Sequence, residues 1–95
     1  MNALIGALRL RVGLERPVVS VGGAVVWEAA GGAWARVTPA VAGEPALCRL
    51  ELRARRDVRP GWRVALGDRR LRISNVRAAD DRGARLIIDC REELQ

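Results

Sequence analysis

The stretch CRLELRARRDVRPGWR, residues 48–63, holds six arginines and one tryptophan. Guanidinium forks at this density can grip phosphate oxygens without reading bases. A half-buried strand with a solvated charged face has the same composition. Glu51 lies between Arg49 and Arg53, and Asp57 follows Arg56, so part of the charge is offset locally. Such exposed pairs contribute only about 0.2–1 kcal/mol each. Residues 49–72 carry nine arginines and three acids, which equals the whole net charge of +6. Arg49, Arg53, Arg55, Arg56 and Arg59 are therefore the candidate DNA-facing or docking residues. All 17 basic residues are arginine, and His, Tyr and Phe are absent too. This joint depletion fits GC-rich codon bias, so the location of the charge says more than its total.

Catalytic chemistry is poorly supplied. Without His the usual neutral-pH general base is missing. Without Lys there is neither a P-loop nor a Schiff base. The remaining groups are carboxylates, Ser20, Ser74, Thr38, Cys48 and Cys90. Asp80-Asp81 is a paired carboxylate in a predicted turn, where Asx chemistry accounts for it. Gly22-Gly23 and Gly31-Gly32 fit no dinucleotide fingerprint. Cys48 and Cys90 form no C-x-x-C motif, and no His completes a zinc site. Both alternate with polar neighbours, as buried apolar residues do. They read as reduced core residues, with a disulfide left open if their strands are adjacent. No enzyme, metal site or cofactor is expected.

The elements that position the arginines alternate with period two. Leu8, Leu10, Val12 and Leu14 share a face opposite Arg9, Arg11 and Gly13, after a short apolar lead over residues 1–7. Pro17 is expected to close this strand. Val18 to Val21 begins a second, with Gly22-Gly23 turning into Ala24 to Trp27. Gly31-Gly32 reads as another break before a strand over Ala33 to Val37, ended by Thr38-Pro39. Residues 38–46 form a loop rich in Pro and Gly. Residues 46–56 are the clearest strand. Pro60-Gly61 then turns into Trp62, Val64 and Leu66. Gly67-Asp68 turns into Leu71, Ile73 and Val76. Residues 79–83 are a polar turn, and Leu86, Ile88 and Cys90 mark the last strand. This pattern predicts one all-β domain over residues 1–95, a small barrel or sandwich of about six short antiparallel strands with long loops. The expected core is Trp34, Leu50, Leu52, Trp62, Val64, Leu86 and Ile88. Trp27 fits either core or interface.

At 95 residues the chain supports one modest core. The most apolar run, Val18 to Trp27, is too short and too broken to span a membrane. No basic region precedes the apolar N-terminal stretch, so a cytoplasmic protein is the default.

The order of segments adds a resemblance. LRLRVGLERPV opens the chain, and VVWEAAGGAWARVTP follows. AGEPA leads into CRLELRARRDVRPGWRVALGDRRLRISNV, and DRGARLIIDCREEL closes it. Together these resemble the phage head–tail joining family of stopper or head-completion proteins, found in siphophage-like tailed phages and gene transfer agents. The carrying residues are Arg16-Pro17, Trp34 to Val37, Gly43-Glu44 and the turn Arg59 to Val64. The chain departs from the family in its Gly/Ala-rich segment between the first strands and in Leu71, where the short hairpin usually has an aromatic.

The resemblance implies a non-catalytic β-barrel in a six- or twelve-fold homo-oligomeric ring at the neck of a virion or phage-like particle, assembled in the bacterial cytoplasm. A portal or adaptor ring would lie above it and a tail terminator or tail tube below. Packaged double-stranded DNA would occupy the channel, with no membrane involved. The family's channel-narrowing loop corresponds to Thr38, Pro39, Ala40, Val41, Ala42, Gly43, Glu44, Pro45 and Ala46. With Glu44 and no Arg, it would close by bulk and like-charge repulsion. An OB-like nucleic-acid-binding domain and a tail terminator ring protein are the competing readings.

Overall fold

The computed structural model describes residues 10–55, 57–80 and 82–93. Six strands follow in chain order: β1 (Leu10–Val19), β2 (Val25–Pro39), β3 (Leu47–Arg53), β4 (Arg63–Leu66), β5 (Arg69–Ala78) and β6 (Arg85–Glu92). All pairings are antiparallel, in the order β1-β2-β3-β6-β5-β4. The sheet closes because Gly13, Leu14 and Glu15 of β1 also pair with Ala65, Val64 and Arg63 of β4. The all-β expectation therefore holds, and no helix occurs among the described residues. Residues 1–7, Leu8, Arg9, Arg56 and Asp81 of the sequence expectations lie outside them.

Two expected strand ends are strand interiors. Pro17 sits within β1, opposite Trp27 of β2. By that point β1 has parted from β4, and a proline on such an edge interrupts no ladder. Gly31-Gly32 does not break β2 but makes a bulge in it. Gly13 faces Gly32 while Glu15 faces Ala29, so Ala30 and Gly31 oppose Leu14 alone. Gly31 takes the left-handed φ of 92° that such a bulge requires. One 15-residue strand thus replaces two expected ones. Gly22-Gly23 does turn the hairpin: Ser20 N donates to Ala24 O and Gly23 N to Ser20 O.

The interior is filled by the inward half of each alternation. Val12, Leu14, Leu50, Leu52, Val64, Leu71, Ile73 and Ile88 are nearly inaccessible. Register stacks them in layers, with Leu50 opposite Ile88 and Leu52 opposite both Ala35 and Leu86. Burying each large aliphatic chain contributes about 1.5–3 kcal/mol. A second bulge inserts Ser74 between Ile73, opposite Cys90, and Asn75, opposite Asp89. That one-residue shift exchanges the two faces of the strand and brings Val76 against the core. Cys48 and Cys90 are free, buried and directly opposite one another.

Trp34 is a correction to the expected core. It is 54% exposed, whereas Trp62 is 9% exposed. Trp34 shares strand phase with Arg36, and the inward positions belong to Ala35 and Val37. Leu86 is only partly buried, packed against the core from one side.

Candidate nucleic-acid interface and channel loop

The outward half of the alternation builds a charged wall. Glu51 of β3 accepts from Arg36 of β2 at 2.6 Å and from Arg85 of β6 at 2.9 Å. The hydrogen bond from Arg85, with that from Arg36, outweighs partial burial and holds the Glu51 carboxyl below its ordinary range. One row along, Arg49 Nε donates to Asp89 at 3.0 Å and lowers that carboxyl likewise. Arg69 pairs with Glu92 at 2.9 Å, and Arg63 with Glu15 at 2.7 Å. Acids on neighbouring strands therefore occupy much of the arginine density.

The candidate basic strand divides accordingly. Arg49 is engaged with Asp89. Arg55 is fastened by Asp57, through Nε at 3.1 Å and Nη2 at 2.7 Å, and by Ala30 O at 2.8 Å. Its hydrogen bond holds the Asp57 carboxyl below the ordinary range. Arg59 is exposed in the loop between β3 and β4. Arg53, at the end of β3, has no carboxylate partner among the described residues.

The fold brings Arg53 and Arg55 to two residues that sequence reasoning does not connect with them. Arg11 of β1 lies opposite Trp34 of β2, and its guanidinium stands 5.5 Å from the ring centre. Arg11, Trp34, Arg53 and Arg55 line one recess with Gly32 and Ala33. The available signal is phase, since Arg11 and Trp34 both occupy outward positions. Their proximity to Arg53 depends on strand order, which alternation does not reveal.

Part of the expected channel loop is strand. Thr38 and Pro39 belong to β2 and face Arg49 and Cys48. Residues 40–46 form a compact turn between adjacent strands. Ala40 N donates to Leu47 O, Glu44 N to Val41 O, and Leu47 N to Glu44 O. Glu92 N donates to Ala46 O at 2.7 Å and ties the turn to β6. Val41 and Glu44 face solvent. Beside the turn, Val37, Pro39, Pro45 and Leu47 line a cavity of about 390 Å³.

The β1–β2 hairpin projects past the closed sheet. Val19 is 70% and Val25 56% exposed, and Val18, Val21 and Val26 are exposed as well. Trp27 anchors the arm, with Arg63 at 4.2 Å and Arg72 at 4.8 Å from its ring centre. Trp27 is thus half-buried against the wall and is not part of the buried core. Among the described residues, no group of three or more His, Cys, Asp or Glu is placed to hold a metal ion. Asp80 serves its turn, accepting from Ala84 N through Oδ1.

Among solved structures, the chain is similar to a protein of the native gene transfer agent virion. The two are 30% identical over 92% of this chain and 96% of the other, with a TM-score of 0.76. The chain belongs to a family of phage-like virion structural proteins. This virion protein is also similar to a Shigella flexneri 2a protein solved in solution. That pair is 26% identical over 100% of this chain and 99% of the other, with a TM-score of 0.74. No protein-family model and no curated protein matches the chain.

Proposed function

We propose that this virion protein forms a non-catalytic ring at the head–tail junction, where it retains packaged duplex DNA and gives the tail a docking surface. The observation that carries the reading is kinship, over nearly the full length of both chains, with a gene transfer agent virion protein. The surface chemistry agrees. A net charge of +6, repeated around a ring, offsets a phosphate column without reading sequence. The valine-tipped hairpin gives each subunit an apolar projection, which a monomer in water would not favour. A ring requires a heterologous contact of this kind, in which one surface meets a different one on the next copy. The turn over residues 40–46, carrying Glu44 and no arginine, narrows the channel by bulk and repulsion.

Electron microscopy of particles made without this gene tests the reading. It predicts DNA-leaking heads beside separate, complete tails. Intact tailed particles would overturn it. Heads joined to tails of irregular length would instead support a tail terminator.

A further inference from the structure

In the recess beside the β2 bulge, three arginines converge with one acid, Asp57, among the described residues. The recess has a volume of about 220 Å³. Three features build it. Arg11 lies over Trp34, which restrains a side chain that would otherwise sample many rotamers. Gly32 gives that guanidinium its place, because a Cβ there would stand 2.9 Å from Arg11 Nη2. Arg55 is fixed against Ala30 O and Asp57 on the other side. Asp57 answers one charge of the three. Arg11 and Arg53 have no carboxylate partner among the described residues.

We infer that this recess is a contact site for the phosphodiester backbone of duplex DNA. Arg11 is restrained and uncompensated, and Arg53 beside it is uncompensated; such guanidiniums suit phosphate oxygens, which they bind by paired N–H donors. Contacts to phosphate oxygens position a protein on the duplex and carry no sequence information, so such contact is independent of sequence. An acidic protein segment is the less favoured partner. Such interfaces gain most of their energy from apolar anchors in closed pockets. Here the apolar surface is Ala33 and an indole that Arg11 already overlies. The inference deepens the junction reading and rests on it only for where the DNA comes from.

The test compares two charge-matched double variants of the isolated protein, R11Q/R53Q and R82Q/R91Q. Arg82 and Arg91 are exposed and also lack carboxylate partners among the described residues. Binding to a fluorescently labelled random-sequence duplex is followed by anisotropy across a salt series from about 50 to 200 mM. Wild type should bind at low salt and weaken steeply. R11Q/R53Q should bind roughly tenfold more weakly. Its log–log salt slope should be shallower by about two, near 0.9 for each phosphate that is no longer neutralised. R82Q/R91Q should stay within about twofold of wild type. Duplex should also change the Trp34 emission, read as the difference between wild type and W34F.

Equal weakening in the two double variants would show diffuse binding and overturn the site. So would absent wild-type binding, or competition by polyglutamate at equal charge concentration. Each of these leaves the microscopy of gene-deleted particles untouched, so failure here is distinct from failure of the junction reading.

Discussion

Replacing Trp62 and Trp34 separately by Ala gives the sharpest contrast in this molecule. The substitution is chemically identical, and the two rings sit on opposite sides of the sheet. Trp62 belongs to the buried core with Val58 and Val64, with 9% of its surface exposed. Its backbone is held twice, by Trp62 N to Arg59 O and by Ile73 N to Trp62 O. A buried aromatic of 150–250 Å² contributes about 4–6 kcal/mol at 25 cal/mol per Å². Truncation to Ala in such a site removes about 3–5 kcal/mol. For a domain near this size, about 4–8 °C of Tm accompanies each kcal/mol. W62A should therefore melt roughly 12–40 °C lower, or fail to fold, given total stabilities of about 5–15 kcal/mol. W34A removes an exposed ring and its cation–π interaction with Arg11, worth about 0.5–1 kcal/mol. Its Tm should fall by less than about 8 °C. Far-UV circular dichroism on heating, with urea melts to obtain m, measures both. Equal destabilisation would refute the assignment of Trp34 to the outer wall.

Three further outcomes follow from the same geometry. Glu51, Asp57 and Asp89 titrate below their ordinary values of 4.5, 3.8 and 3.8 when folded. The unfolded chain therefore takes up these protons first, so stability is full above about pH 4.5 and falls as pH drops through the lowered folded values. Urea midpoints should decline through that window, less so in E51Q, and a midpoint that rose on acidification would contradict the ion-pair wall. Burial, with smaller contributions from Cys48 and Asp89, pushes the Cys90 thiol up to about 12. Ellman's reagent should leave Cys90 unreacted in the folded protein and label both thiols in urea, whereas rapid native labelling would show that the barrel opens. Deleting residues 40–45 should let DNA escape from tailless heads while the barrel keeps its melting profile, and full retention would remove the turn from channel closure.

Alternation makes most of the barrel legible. The inward residues of β3, β4 and β6 stand where period two places them. So do the turns at Gly22-Gly23, Pro60-Gly61 and Gly67-Asp68. The departures have specific causes. A glycine pair marks either a turn or a bulge, and only the facing strand decides between them. Gly31-Gly32 is a bulge because β1 runs past it on the same ladder. Pro17 looks like a terminator because a proline interrupts central strands, yet β1 is an edge strand by then. The outward position of Trp34 is legible in its phase with Arg36. Assigning it to the core lets the size of the ring outweigh its register. Of the candidate interface, the arginines of β3 are visible in the sequence. Arg49 is occupied by Asp89, forty residues away, and Arg53 shares a recess with Arg11 across β2. Such pairings follow from the order β1-β2-β3-β6, which one-dimensional alternation does not encode.

We propose a ring of this protein at the head–tail junction. The most direct measurement is cryo-electron microscopy of intact particles, with the density fitted by this barrel. A closed ring of barrels is expected at the neck, six or twelve copies around a channel that contains or abuts DNA. Barrels along the tail tube or on the capsid surface, with a different protein filling the neck, would contradict it.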